Sequence, residues 1–119
     1  MPRRSSSSVK VFYPRLSREE VIRLLREGLP GLAKKLPLRK AVLFGSYARG
    51  DYTVGSDVDL LVVYSGPPRE DAYILVRKAL AIPGLEPHVY TEEEYRRLGK
   101  GGLRMEEGGI VVYEGKEGR

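Results

Sequence analysis

Residues 43–51 read Leu-Phe-Gly-Ser-Tyr-Ala-Arg-Gly-Asp, and residues 56–63 read Ser-Asp-Val-Asp-Leu-Leu-Val-Val. In the first stretch an apolar run ends in a Gly-Ser pair. In the second, two aspartates stand two residues apart at the head of another apolar run. The pattern predicts two strands, with a phosphate-binding turn after the first and a divalent-metal site at the start of the second.

The two aspartates are Asp57 and Asp59. Side chains at i and i+2 of a strand point to the same side, so these carboxylates should lie close together. Their mutual repulsion is relieved by a cation such as Mg²⁺, which holds phosphate oxygens in its remaining positions. On its own, such a pair is also typical of a solvent-facing strand start.

The Gly45-Ser46 pair would leave backbone N–H groups free to bind an anion, and glycine lets the backbone approach a phosphate closely. A Gly-Ser pair alone is commonly only a turn. The chain contains neither the G-x-x-x-x-G-K-[ST] motif nor G-x-G-x-x-G. The interpretation as a phosphate-binding turn beside a metal site therefore rests on the combination of this pair with the two aspartates, with a strand on each side.

Together, Gly-Ser-x-Ala-Arg-Gly at 45–50 and Ser-Asp-x-Asp-Leu at 56–60 resemble the signature of the minimal nucleotidyltransferase (MNT) family, within the DNA polymerase β-like nucleotidyltransferase superfamily. The resemblance implies an α/β (α+β) fold, with helices packed on a small mixed sheet. It also implies that Gly45 and Ser46 hold the β- and γ-phosphates of ATP or another nucleoside triphosphate.

The resemblance further implies that Asp57 and Asp59 ligate two Mg²⁺ ions, with Mn²⁺ as an alternative, and that a third carboxylate lies on a later strand. By position this is Glu86, which would also accept the proton of the attacking hydroxyl. Pro87 follows it and could shift the strand. Asp51 or Asp71 could then supply the third ligand instead.

Arg49 matches the family's arginine and has two readings. It either neutralises phosphate charge or pairs with Asp51 or Asp57 and holds the loop, and the structural role is slightly favoured. His88 should face the same side as Glu86 and could touch the nucleotide. A lone histidine is more often a surface or packing residue, so we do not count it among the catalytic residues.

The implied reaction moves a nucleoside monophosphate, in the simplest case AMP from ATP, to a hydroxyl of a partner protein or a small acceptor and releases pyrophosphate. Because 119 residues leave little room for an acceptor-binding domain, we expect a partner. This would be a HEPN toxin adenylylated on a tyrosine by its MNT antitoxin, or a separate acceptor-binding subunit. A homo-oligomer is compatible with the sequence.

Two alternatives from other classes remain. The first is a binding module that neutralises a partner by contact alone. The second is a nucleic-acid-binding domain, which is less favoured because the basic residues are not interleaved with aromatic ones. Residues 1–40 hold eleven Lys or Arg against three Glu, a basic surface that could dock a partner.

Composition narrows the remaining classes. The length suits one domain, and no apolar run approaches the roughly 20 residues of a membrane span, so a cytoplasmic protein without a membrane partner is expected. Without cysteine, metal ligands must be oxygen or imidazole. Charged residues make up 31% of the chain, and neither Asn nor Gln occurs, a pattern typical of thermophiles.

The pattern along the chain predicts a disordered leader over residues 1–8, a single domain over 9–115 and a charged tail over 116–119. A strand or extended arm is expected at 9–13. The predicted helices cover residues 18–28, 72–80 and 92–98, and the predicted strands cover 40–44, 58–64, 85–90 and 108–113. Gly28, Pro30 and Gly31 should interrupt the first helix, although Leu32, Ala33 and Leu36 could carry one more turn. Pro87 favours an edge or irregular position for its strand. The glycine-rich stretch 99–102 leads to the last strand, and no helix or strand is predicted for it.

Overall fold

The computed structural model describes residues 16–115. The predictions for the leader, for residues 9–13 and for the tail therefore lie outside the described residues. In chain order the elements are α1 (Arg18–Ala33), β1 (Leu38–Phe44), α2 (Ser46–Arg49), β2 (Val58–Tyr64), α3 (Ala72–Ala79), β3 (Leu85–Thr91), α4 (Glu92–Leu98), α5 (Lys100–Glu106) and β4 (Ile110–Glu114).

The strands form one mixed sheet in the order β3-β2-β1-β4. β1 pairs antiparallel with both β2 and β4, whereas β2 and β3 run parallel. The α/β class and the mixed sheet are as predicted. β3 is an outer strand of this sheet, which confirms the edge position inferred from Pro87, because proline has no N–H to donate to a second neighbour.

Helices cover both faces of the sheet. On one face, side chains of β1 and β2 such as Leu43 and Leu60 pack with the buried residues of α1, α2 and α3. On the other face, Val42, Leu61 and Val63 pack against residues of α4 and α5. Alternation along β2 therefore buries successive side chains on opposite sides, which explains the continuous apolar run that predicted this strand.

Helix α1 differs from its prediction. It runs without interruption to Ala33, although Pro30 lies inside it. Leu29 and Leu32 on either side of this proline are fully buried, whereas Pro30 itself is exposed. The predicted break is wrong because tertiary burial outweighs the single hydrogen bond that proline removes. Gly28 lies against the Leu80 side chain, where a Cβ would come within 2.7 Å.

The capping boxes support α1 and α4 at their first turns. The Ser17 hydroxyl accepts from the Glu20 N–H at 3.1 Å, and the Glu20 carboxylate accepts from the Ser17 N–H at 2.8 Å. Thr91 and Glu94 repeat this arrangement at the start of α4. Both boxes satisfy N–H groups that a helix leaves unpaired, which confirms these two predicted starts.

The glycine-rich stretch is the second difference. It caps and begins helix α5, where no helix is predicted. The Tyr95 ring lies against Gly102, where a Cβ would come within 2.8 Å of the ring, so this glycine allows α4 and α5 to pack closely. Met105 of α5 then packs against the sheet. Within residues 16–115, no helix combines the length and apolar character needed to cross a membrane.

Candidate active site

The three candidate carboxylates lie at one end of the sheet. Asp57 immediately precedes β2, Asp59 is its second residue, and Glu86 lies on β3. The parallel register pairs Asp59 with Glu86, and the antiparallel register pairs Asp59 with Phe44 of β1. Because paired residues project to the same face, Asp59 stands between Glu86 and Phe44.

The Gly-Ser turn is in direct contact with this row. Gly45 adopts φ 78° and ψ −153°, a backbone conformation that is essentially restricted to glycine. A Cβ at this position would lie 2.5 Å from Oδ2 of Asp59. The absence of a side chain at Gly45 therefore leaves the space that the Asp59 carboxylate occupies.

Electrostatics tie the carboxylates together. Partial burial raises the pKa of Asp59 above its ordinary value, the contact with His88 lowers that pKa, and the negative charges of Asp57 and Glu86 raise it further. The repulsion from Asp57 and Glu86 is the kind that a bound cation relieves. Asp59 therefore interacts electrostatically with both of the other candidate ligands.

The donor set suits Mg²⁺ in its chemistry. Within the described part of the chain, no three acidic or histidine side chains are close enough to form a complete set of metal ligands. Mg²⁺ does not require such a set, because it usually binds one or two carboxylates and completes its shell with water and substrate phosphates. Asp57, Asp59 and Glu86 offer carboxylate oxygens, the type of ligand that Mg²⁺ prefers, and one or two of them are enough to bind the ion when water and phosphate complete its shell.

His88 belongs to the site, although its residue type alone favoured a surface or packing role. Its Nε2 lies 3.5 Å from Oδ1 of Asp59, and its ring centroid lies 5.1 Å from that of Phe44 at an interplanar angle of 60°. The Nε2 atom is buried, and its distance from Asp59 is longer than that of a well-formed hydrogen bond. Strand alternation placed His88 beside Glu86, but nothing in the sequence indicated its contact with Asp59.

Two alternative third ligands are engaged elsewhere. Asp51 pairs with Arg49, with 3.3 Å between Oδ2 and Nε, and both side chains are exposed. Asp71 accepts two hydrogen bonds from Arg69, at 3.0 and 2.9 Å, and these bonds hold the pKa of Asp71 below its ordinary value. Of the three residues considered for this role, only Glu86 is paired with Asp59 in the sheet.

The start of α1 holds the turn in place, a feature that no sequence motif indicated. The Arg18 guanidinium donates to the Ala48 carbonyl at 2.9 Å, and the Arg18 N–H donates to the Tyr52 hydroxyl at 3.1 Å. Tyr47 is buried, donates its hydroxyl to the Leu16 carbonyl at 2.9 Å, and stacks on Tyr52 with the ring centroids 4.1 Å apart. These contacts fix the segment that follows Gly45 and Ser46.

Comparison with known protein families identifies the family of this chain. The sequence profile of the nucleotidyltransferase domain family matches residues 25–108, well over half of the chain. The chain belongs to the nucleotidyltransferase domain family. This confirms the family resemblance drawn from the Gly-Ser and Asp-x-Asp motifs, which both lie inside the matched segment.

Two curated relatives of this nucleotidyltransferase domain come from Methanocaldococcus jannaschii, and both are named as candidate protein adenylyltransferases. One is 65% identical over 26 residues, which are 22% of this chain and 26% of the relative. The other is 41% identical over 51 residues, which are 41% of this chain and 52% of the relative. The matched segments thus span about a quarter and about half of these relatives.

Solved structures show the same nucleotidyltransferase fold. A candidate nucleotidyltransferase from Sulfolobus solfataricus superposes with a TM-score of 0.56 at 23% identity, covering 82% of this chain and 83% of that one. A toxin–antitoxin structure with AMP-PNP gives a TM-score of 0.52 at 22% identity, covering 85% of this chain and 76% of that one. These similarities establish the fold.

Proposed function

We propose that this nucleotidyltransferase domain transfers a nucleoside monophosphate, AMP from ATP in the simplest case, to a hydroxyl group with release of pyrophosphate. The observation that carries the proposal is the contact between the Gly45 turn and the Asp59 carboxylate, with Glu86 on the neighbouring strand. A phosphate-binding turn and a set of cation ligands are then adjacent, as transfer from a nucleoside triphosphate requires.

In this proposal, Gly45 and Ser46 bind the β- and γ-phosphates. The backbone N–H groups at the start of a helical turn have no partner within the turn and can donate to phosphate oxygens. The Ser46 hydroxyl adds one donor. Arg49 follows at the end of the same turn, where its side chain is 60% exposed despite its ion pair with Asp51, so a triphosphate can reach it.

Asp57, Asp59 and Glu86 would hold Mg²⁺, two ions in the full assignment. When bound, Mg²⁺ supplies charge neutralisation at the reacting phosphates and at the leaving pyrophosphate. The contribution of the protein is to keep the three carboxylates at one end of the sheet beside the phosphate-binding turn. Mn²⁺ is an alternative ion, because it also prefers carboxylate oxygens.

Glu86 would accept the proton from the attacking hydroxyl. In the transfer step, the acceptor oxygen forms a bond to the α-phosphorus while the bond from that phosphorus to the bridging oxygen of pyrophosphate breaks. The electron pair of the broken bond leaves with pyrophosphate. Glu86 is exposed on the outer strand of the described sheet, so an acceptor hydroxyl can approach it.

The acceptor we propose is a tyrosine hydroxyl of a HEPN-type partner, with this chain acting as its antitoxin. Two comparisons support this acceptor. The curated relatives are named as candidate protein adenylyltransferases, and a structure of the same fold is a toxin–antitoxin structure with AMP-PNP. The family resemblance of the Gly-Ser and Asp-x-Asp motifs points to the same partner.

The test uses ATP labelled in its adenine ring, Mg²⁺ and the protein encoded next to this one. Label should move onto the partner with the wild type and should be lost with Asp57→Ala or Asp59→Ala. Asp71→Ala is the matched control, because it removes an exposed aspartate at another place in the fold. Equal labelling by the Asp57 and Asp59 variants would refute the carboxylate assignment. Neutralisation of the partner without any transfer, by the wild type and both variants alike, would favour the contact-only binding module.

A further inference from the structure

The Asp59 carboxylate is confined on two sides. Its Oδ2 occupies the space beside Gly45 that any side chain would fill. Its Oδ1 faces Nε2 of His88 at 3.5 Å. One oxygen is thus bounded by β1 and its turn, and the other by β3. Rotation of the carboxylate about its Cβ–Cγ bond would disturb one or both of these contacts.

The His88 ring is itself held in place. It packs obliquely on Phe44, the residue that pairs with Asp59 from the opposite side of β2. Leu61, the next residue of β2 on this face, is the register partner of His88 and is fully buried. The His88 Nε2 atom is buried without a hydrogen bond to any other described residue. The nitrogen therefore faces the Asp59 carboxylate and has no competing hydrogen-bond partner among residues 16–115.

We propose that His88 is a positioning residue that orients the Asp59 carboxylate for metal binding through Nε2. This inference rests on the proposed function. A carboxylate that binds a metal is generally hydrogen-bonded by an outer partner, which fixes its orientation before the ion arrives. At 3.5 Å the contact between Nε2 and Oδ1 is long, so a small movement of either side chain would turn it into a hydrogen bond.

The experiment compares His88→Ala, His88→Gln and His88→Phe with the wild type. Glutamine keeps an N–H donor at a reach similar to that of Nε2, whereas phenylalanine keeps the ring against Phe44 but has no donor. Tyr73→Ala, which removes an exposed aromatic ring on α3, is the control for loss of an aromatic side chain. Mn²⁺ affinity is measured by electron paramagnetic resonance without nucleotide, and folding is monitored by thermal unfolding.

We expect His88→Ala and His88→Phe to weaken Mn²⁺ binding by about tenfold, the lower end of the effect seen for outer partners of metal ligands. His88→Gln and Tyr73→Ala should bind Mn²⁺ like the wild type. A purely structural role would change thermal stability without this division between donor and non-donor side chains. Should His88→Ala fail to fold, the comparison between the Gln and Phe variants still decides.

Three results would overturn the inference. If His88→Phe binds Mn²⁺ as tightly as His88→Gln, the donor at Nε2 is irrelevant. If the wild type binds Mn²⁺ and Asp59→Asn abolishes this binding, yet His88→Ala binds normally, only the role of His88 fails and the proposed function survives. If the wild type binds no Mn²⁺ either alone or with a non-hydrolysable ATP analogue, the metal-dependent function fails as well.

Discussion

Replacing Gly45 with alanine tests the contact between the turn and the candidate metal ligand. The added Cβ would lie 2.5 Å from Oδ2 of Asp59, about half an ångström inside the 3.0 Å that real Cβ contacts respect. The backbone at φ 78° and ψ −153° adds a strain of about 1 to 3 kcal/mol. Asp59 must therefore move, and the domain must also lose stability.

A displacement of 1 Å at a reacting centre lowers a rate by about a hundredfold, so a shift of half that size should cost on the order of tenfold in nucleotidyl transfer. Gly66→Ala is the matched control. Gly66 also has positive φ, at 96°, but a Cβ added there would meet no atom within 4 Å beyond its chain neighbours. It follows the other end of β2, away from Asp59.

Urea unfolding and transfer of label from ATP are measured on both variants. Both should lose about 1 to 3 kcal/mol of unfolding free energy through backbone strain. Only Gly45→Ala should also lose transfer activity, measured at a temperature where both variants remain folded. If Gly45→Ala transfers label as well as Gly66→Ala does, the contact between the turn and Asp59 has no part in the reaction.

Three further predictions concern the scaffold around the site. Tyr95→Phe should lower the free energy of unfolding by about 1 kcal/mol in urea, because the hydroxyl donates its one hydrogen to Glu106 and also lies 3.1 Å from the Gly102 carbonyl oxygen. Burial alone would raise the pKa of Glu106, but hydrogen bonds from Lys40 and Tyr95 and the Lys40 charge lower it. Because the pKa of Glu106 is lower in the folded state, its ionised form stabilises the fold above the unfolded pKa of about 4.5, and this stabilisation is lost as pH falls through the folded pKa. Lys40→Met removes the main partner of Glu106 and should therefore flatten the acid limb of a plot of unfolding free energy against pH. Pro30→Ala should raise the midpoint of thermal unfolding by restoring a helical N–H, worth about 1 to 3 kcal/mol, and an unchanged midpoint would contradict this account of α1.

The elements with a continuous local signal could be predicted from the sequence. β2 matches its predicted bounds because its apolar run is flanked by polar residues, which mark where the buried strand begins and ends. α1 and α5 could not be predicted fully, since Pro30 and the glycines near Gly102 disfavour a helix locally. Burial of Leu29 reverses that preference in α1 through contacts distant in the chain. In α5 the preference is reversed by packing of Tyr95 on Gly102, seven residues away, which depends on how α4 and α5 fold back on each other.

For the site as well, local sequence motifs could be recognised, whereas contacts made by the tertiary fold could not. Asp57, Asp59 and Gly45 could be proposed from their spacing, and Glu86 from the family resemblance, which implies a third carboxylate on a later strand. The contact of His88 with Asp59 could not, because it depends on the register between β2 and β3 and on the ring of Phe44. The hydrogen bond from Arg18 of α1 to the Ala48 carbonyl could not be predicted either, because it joins residues 30 positions apart in the chain.

The measurement that tests the central claim most directly compares ATP labelled at the α-phosphate with ATP labelled at the γ-phosphate. Nucleotidyl transfer by the Asp59 site predicts that α-label becomes attached to the acceptor protein, that γ-label leaves as pyrophosphate, and that Asp59→Asn abolishes the attachment. Attachment of γ-label would show transfer of the terminal phosphate instead. Attachment of α-label that persists in Asp59→Asn would contradict the account of the site.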